Sequence, residues 1–386
     1  MNPYISNSIA QGLPFIKTQP SIARVFLKRG RAPEPGEVLQ QRDLAMTMRA
    51  IAERGRDAFY KGEIAKRIAR FCQGKGGLLE EGDLEEYRAI WVEPIDTDYR
   101  GYQVYEFPPN SQGMALLLAL NLVEGFNLES LKGKPAEAIH IMVEAIKLAF
   151  ADRDRYISDP RMVSIPLCGL LSKEYVKLRR NLIDPNSATR TLVVSGDPWP
   201  YHGDTTYFAI VDREFNVVSH IQSLYHPFGS RVVVEETGIL LNGRLSAFTF
   251  NEGHPNRLEP YKRPLHTLNP ALLFKDNKPY LALGTPRAHG QVQTLLQIIT
   301  NHIDFGMDLQ EAIEAPRWRF EEGELHLEDR FSPELKDALK RKGHTLRLVE
   351  PWSDTMGGAQ GILIDPATNT LLGGADPRRE GYAIGW

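Results

Sequence analysis

The sequence predicts an α+β protein in which sheets lie between helical layers, and three observations carry that prediction. Apolar residues recur at helical spacing through the first half of the chain, the period switches to two after residue 203, and helical spacing returns near residue 291. Residues 43–54 place Leu44, Met48 and Ile51 on one face, with Asp43 in capping position and Gly55 as the stop. Residues 63–72 repeat the pattern with Ile64, Ile68 and Phe71. Residues 102–107 alternate as a strand closed by Pro108-Pro109. Helices are expected over 114–124 and over 136–152, the second with Ile139, Val143, Ile146 and Phe150 in one stripe. Residues 184–203, rich in proline, glycine and small side chains, read as a surface segment. Strands follow over 206–212 and 217–222 around a turn at 213–216, then over 232–234, 238–241, 270–274 and 280–283. Asn242-Gly243 and Asp276-Asn277 supply turns. A helix over 291–305 comes next, then a short one capped by Asp308 and stopped by Pro316, and another running from Ser332-Pro333 to Gly343.

Composition narrows the function. With 386 residues, 42% of them hydrophobic and 25% charged, the chain can bury a large core, as two or three units or one large body. A formal charge of -3 disfavours nucleic acid, whose phosphates demand a basic face. Cys72 and Cys168 cannot make a disulfide framework and read as incidental thiols. The N-terminus lacks a basic stretch followed by an apolar run, and the most apolar stretch, 114–123, is about half a bilayer span. A cytoplasmic protein without membrane contact is expected.

Several chemistries find no motif. GxxxxGK[ST], HExxH and GxSxG do not occur. Gly74-Lys75-Gly76-Gly77 reads as a turn rather than a phosphate loop, and the ten histidines lack metal-ligand spacing, so neither metal nor cofactor is expected. A triad of Ser219, His220 and Asp212 is disfavoured because adjacent strand residues point to opposite faces.

Gly203-Asp204-Thr205-Thr206 opens a strand directly after the polar segment, and alone it is only a loop meeting a strand. The continuation is more informative: Ser219-His220-Ile221-Gln222-Ser223-Leu224-Tyr225-His226-Pro227-Phe228-Gly229-Ser230, then Gly238-Ile239-Leu240-Leu241-Asn242. Gln41-Arg42-Asp43-Leu44-Ala45, residues 55–64, 108–113 and 143–159, and Ala375-Asp376-Pro377-Arg378-Arg379 fall in the same order. Together they resemble the γ-glutamyltransferase (glutathione hydrolase) family of N-terminal nucleophile hydrolases, over the whole chain. The resemblance implies a four-layer αββα sandwich made as a proenzyme that cuts itself at Asp204-Thr205. Residues 1–204 would then be the large-subunit portion, and residues 205–386 the small catalytic subunit, held together as a heterodimer that is able to pair again. Thr205 would be the nucleophile, Thr206 its neighbour in the site and Ser223 the hydroxyl that positions it. Family members carry a longer opening segment, with core strands and a substrate-gripping arginine. The chain is therefore expected to be N-terminally shortened, with open sheet edges.

Departures from the family pattern point to the substrate. The family's oxyanion-hole glycines become Arg287-Ala288, where a positive φ would sit badly with arginine. The family's pocket asparagine becomes Tyr225, its acidic residue becomes Ala247 near Arg244, and its paired serines become His266-Thr267. Losing an acid while adding Arg244 disfavours an ammonium and favours an anion. A carboxylate-bearing amide without an α-amino group is the expected substrate, and the motifs resemble the family's oxamate-amidohydrolase-like branch. Two other readings stay open, a true γ-glutamyltransferase with a divergent pocket and a truncated, inactive homologue.

Overall fold

A computed structural model of the protein describes residues 1–189 and 204–386. Most of the expected surface segment 184–203 therefore lies outside the described residues. In chain order the described strands begin with β1 (Ile95–Tyr99), β2 (Tyr102–Glu106), β3 (Asp204–Val211) and β4 (Val217–Tyr225). Next come β5 (Val233–Val234), β6 (Ile239–Leu240), β7 (Ala271–Lys275), β8 (Lys278–Gly284) and β9 (Trp318–Glu321). The last are β10 (Glu324–Glu328), β11 (Leu346–Val349), β12 (Gln360–Ile364) and β13 (Leu371–Ala375).

The chain forms two compact units, residues 1–91 with 226–243 and residues 92–225 with 244–386. The expected cleavage point falls inside the second, so it divides the chain chemically rather than along a structural boundary. The smaller unit is built on helices Pro3–Ile16, Pro20–Phe26, Arg42–Arg54 and Glu63–Gly74, with the short β5–β6 pair. Its apolar contacts gather in two groups, Ile9, Ile16, Ile22, Val25 and Val233 in one, and Ile64, Ile68 and Val234 in the other. Asp43 does not cap its helix: Gln41 holds that position, and Asp43 lies in the first turn, where it pairs with Arg24. The first two helices were not legible in the sequence, since Pro14 interrupts one and the other has only seven residues.

The larger unit carries a six-stranded sheet ordered β1-β2-β7-β8-β12-β13. Leu273, Leu281 and Leu283 project from one face into a core shared with helices Gly113–Glu124, Pro135–Tyr156 and Gly290–Ile303. The first of these is buried on every side, which is why its sequence shows a solid apolar run instead of a stripe. The opposite sheet face, at Gly284 and the Ala271 carbonyl, meets the β3–β4 hairpin. Helices, sheet and hairpin thus stack as three of the four layers expected, and among the described residues the outer face of the hairpin is exposed. Asp276 and Asn277 join β7 to β8 with φ of 50° and 60°, the two positive values a tight hairpin turn requires. Asp308 and Ser332 cap their helices as the sequence indicates. No described helix is long and apolar enough to cross a membrane.

Candidate active site

Strand alternation decides which threonine faces the sheet. Thr205 and Tyr207 are buried, whereas Thr206 and Phe208 are exposed on the outer face. Tyr207 lies over Gly284, where an added Cβ would come within 2.2 Å of the ring. Its hydroxyl hydrogen-bonds the Ser219 hydroxyl at 2.8 Å, and Ser219 in turn donates to the Ala271 carbonyl at 3.3 Å. These contacts seat the hairpin on the sheet. Thr205 is paired in register with Ser223, and Asp204 with Tyr225, with an irregularity in the ladder between Asp204 and Thr205. The Ser223 oxygen accepts the Tyr225 N–H at 2.8 Å. The Thr205 carbonyl accepts from Arg379 at 3.4 Å. The Arg379 stem crosses Gly358, whose N–H donates to Thr285 at 3.1 Å in the loop leaving β8.

That loop holds the candidate oxyanion donors. Arg287 and Ala288 both take positive φ, 91° and 46°. The bend survives the loss of glycine because the Arg287 side chain is anchored: Nε donates to the Asp354 carbonyl at 2.7 Å and Nη2 pairs with its carboxylate. Neither the Arg287 nor the Ala288 N–H donates to another described residue. Both precede the 14-residue helix Gly290–Ile303, whose amino end adds positive potential. Gln112 fixes the loop from behind. Its Nε2 lies 3.0 Å from the Ala288 carbonyl and 2.9 Å from that of Thr267, while its Oε1 accepts from Arg153 at 3.2 Å. Arg153 also donates to His289 Nδ1 at 2.9 Å.

Beside the hairpin end, the Arg244 guanidinium sits 4.8 Å from the Tyr225 ring centroid, with Nη1 3.3 Å from the Thr267 hydroxyl. Burial lowers the Arg244 pKa to about 10, which leaves it cationic at neutral pH. His266 is pushed down to about 3, by burial first and then by Arg244 and Arg263. His289 is driven well below its ordinary value by burial and by Arg153, Arg319 and Arg244. Both imidazoles are neutral, so the local charge rests on the arginines.

The structure therefore brings Thr205, Ser223, Tyr225, Arg244, His266, Thr267, Arg287 and Ala288 into one region of the larger unit, and sets Thr206 on the far side of its strand. Sequence reasoning missed Gln112, Arg153 and His289. For Gln112 and Arg153 the only signal was membership of segments in family order, and for His289 its place directly after Arg287-Ala288, because residues up to 177 positions apart meet through the fold. The disfavoured Ser219–His220–Asp212 triad is not assembled: His220 stacks on Phe208 at 4.5 Å, and Asp212 accepts the Glu214 and Asn216 N–H groups in its turn. His140, Glu144 and His344 bring ligand atoms within 4.8 Å of one another. They are closed by hydrogen bonds, His140 to His344 at 2.8 Å and Glu144 to Lys147 and the Thr189 N–H.

A hairpin packed on a helix-backed sheet in this way is the fold of an N-terminal nucleophile hydrolase. The chain belongs to the gamma-glutamyltranspeptidase family, whose model matches residues 1–386. It is 42% identical over 381 residues to a glutathione hydrolase-like proenzyme, YwrD, of Bacillus subtilis (strain 168), covering 97% of this chain and 71% of that one. It is 35% identical over 391 residues to an oxamate amidohydrolase proenzyme of Klebsiella pneumoniae, covering 99% and 72%. The crystal structure of a cephalosporin acylase from Bacillus halodurans superposes with a TM-score of 0.92 at 37% identity, over all of this chain and 71% of that one. The chain spans about two thirds of the length of the curated relatives it matches.

Proposed function

We propose that the protein is a self-processing N-terminal threonine amidohydrolase that cleaves amides whose acyl group carries a carboxylate. The single observation that carries this reading is the register of the hairpin. It sets Thr205 opposite Ser223, and it sets Asp204 opposite Tyr225, on whose ring Arg244 lies. In maturation the Thr205 hydroxyl attacks the Asp204 carbonyl carbon, and the peptide bond becomes an ester with release of the Thr205 amine. Water then hydrolyses that ester, leaving the Asp204 carboxylate and a new N-terminus. The freed amine titrates near 8 when unperturbed, so a useful fraction can take the hydroxyl proton near neutral pH. In turnover the Thr205 oxygen attacks the substrate amide, and the Arg287 and Ala288 N–H groups receive the developing oxyanion. The amine leaving group departs with the proton, and water releases the acid. One such donor is worth ~3 kcal/mol where measured. Arg244, Thr267 and Tyr225 receive the acyl carboxylate.

The test has two parts. Purified chain incubated at about pH 8 is expected to yield two fragments by intact mass, the smaller beginning at Thr205. T205A should stay whole, and T206A should be cut normally. The cut protein should then turn over oxamate or glutaryl amides in preference to γ-glutamyl-p-nitroanilide. Preference for the γ-glutamyl compound would instead support the glutathione-hydrolase reading that the names of several relatives suggest. A chain that stays whole would support the inactive-homologue reading.

A further inference from the structure

Directly behind the acyl pocket lies a carboxylate the reaction does not use. Glu106 closes β2 at 2% exposure, and both its oxygens are buried without a hydrogen-bond partner among the described residues. Three features surround it. Gly113 lies so close that an added Cβ would stand 2.9 Å from Glu106 Oε2. Asn269 is the side-chain amide nearest to bonding it, and the Asn269 Nδ2 is itself an orphaned buried donor, as is the Nε2 of Gln291. Tyr207 of the hairpin is the titratable group facing it, while Gly113, Asn269 and Gln291 bring no charge. The cluster is continuous with the site. Asn269 Oδ1 accepts from Gln112 at 3.2 Å, its N–H donates to Gln291 at 3.3 Å, and the same Gln112 amide reaches Thr267 and Ala288.

An ionised carboxylate in such a place is unfavourable, since among the described residues no cation is paired with it and no hydrogen bond offsets its lost hydration. The acid form suits it better. It carries no charge to be left unsolvated, and its carbonyl oxygen is still an acceptor for the orphaned Asn269 amide.

We propose that Glu106 is a positioning residue, held as the neutral carboxylic acid, whose uncharged state keeps the Asn269–Gln112 frame beneath Thr267 and Ala288 in register. Burial raises its pKa to about 8, opposed by the nearby Phe107 N–H and Asn269 amide, neither of which reaches hydrogen-bonding geometry. The frame therefore loosens in mildly alkaline solution, where the charge must appear. The effect on turnover rests on the function proposed above, whereas the protonation does not.

The experiment compares the full-length protein with E106Q, a neutral isostere. Infrared difference spectra of the wild type between about pH 6 and pH 10 should show a carboxylic-acid carbonyl band that is lost on raising the pH and absent from E106Q. E106Q should melt higher than the wild type at about pH 9, and at the same temperature below about pH 4.5, where both side chains are neutral. With an acidic amide as substrate, kcat at neutral pH should stay within about threefold, and the alkaline fall in kcat/KM should move up by at least about one pH unit. A missing infrared band, or equal melting at pH 9, would overturn the buried acid. Unchanged alkaline limbs in an active pair would overturn the positioning role, and so would an E106Q chain that fails to fold. If neither protein hydrolyses any amide, the functional reading fails, while the spectra and melting curves still decide on the proton.

Discussion

Thr205 and Thr206 are chemically identical neighbours, and only the side of the strand separates them. Burial against the sheet gives Thr205 a fixed rotamer environment next to Ser223, while Thr206 faces outward. A similar reading applies to Arg287, which tolerates φ of 91° because its guanidinium is tied to Asp354. The backbone N–H, not the side chain, is what an oxyanion would use. Arg244 is the residue through which substrate choice should be changed. R244A is expected to lower kcat/KM for glutaryl amides by roughly thirtyfold or more, the ~2 kcal/mol minimum for removing one partner of a desolvated charge pair. The same variant should leave neutral amides nearly unaffected. Steady-state kinetics on the paired substrates checks this, and an equal drop on both would mean that Arg244 holds the fold of the pocket rather than the anion.

At the scale of the element, the hairpin depends on the residue it crosses. Gly284 has no positive φ, so its backbone would accept alanine; what opposes a methyl group is the Tyr207 ring lying where it would go. G284A should push the hairpin off the sheet and cost about 1–3 kcal/mol, the usual range for overpacking. Processing at Asp204-Thr205 should slow in parallel, because Thr205 is two residues from the displaced ring. Thermal melting together with a time course of fragment appearance tests the coupling. Lower stability with normal processing would break it. The outer face of the same hairpin exposes Phe208, Ile210, Val218 and Leu224. An apolar strip of that kind invites a covering layer.

At the scale of the whole molecule, three histidines, His140 and His344 buried and His266 half-buried, are expected to contribute to the acid limit. His344 is pushed down to about 4 and His266 to about 3, with burial the first cause in both, and His140 is lowered by burial as well. Their unfolded values lie near 6.5, so between about pH 6.5 and 4 the unfolded chain binds more protons than the folded one. Stability should therefore fall progressively as pH drops through that window. His344 sits against His140 on helix Pro135–Tyr156, with Lys147 also facing the pair and Glu144 opposing it. H344N should flatten part of the slope in melting temperature against pH. An unchanged slope would mean that these rings are not neutral in the folded protein.

How much was legible beforehand follows from the range of each interaction. Local chemistry is written in sequence, and so the capped helices at Asp308 and Ser332, the Asp276-Asn277 turn and the alternating hairpin were all readable, as was the order of motifs that marks the family. Asp43 misled because a good capping residue two positions late looks the same in sequence as one in place. The short strands β9 to β13 escaped because each is five residues or fewer, and their apolar residues are sorted by neighbours far along the chain. The sequence by itself determined the family, the candidate nucleophile and the helical and strand periods, because these depend on residue type and spacing. Only the tertiary structure decided that Thr205 rather than Thr206 faces inward, that Gln112 and Arg153 brace the loops, and that Glu106 is sealed from water. Those are matters of burial and of contact between distant residues, and side chains acquire them only when the chain has packed.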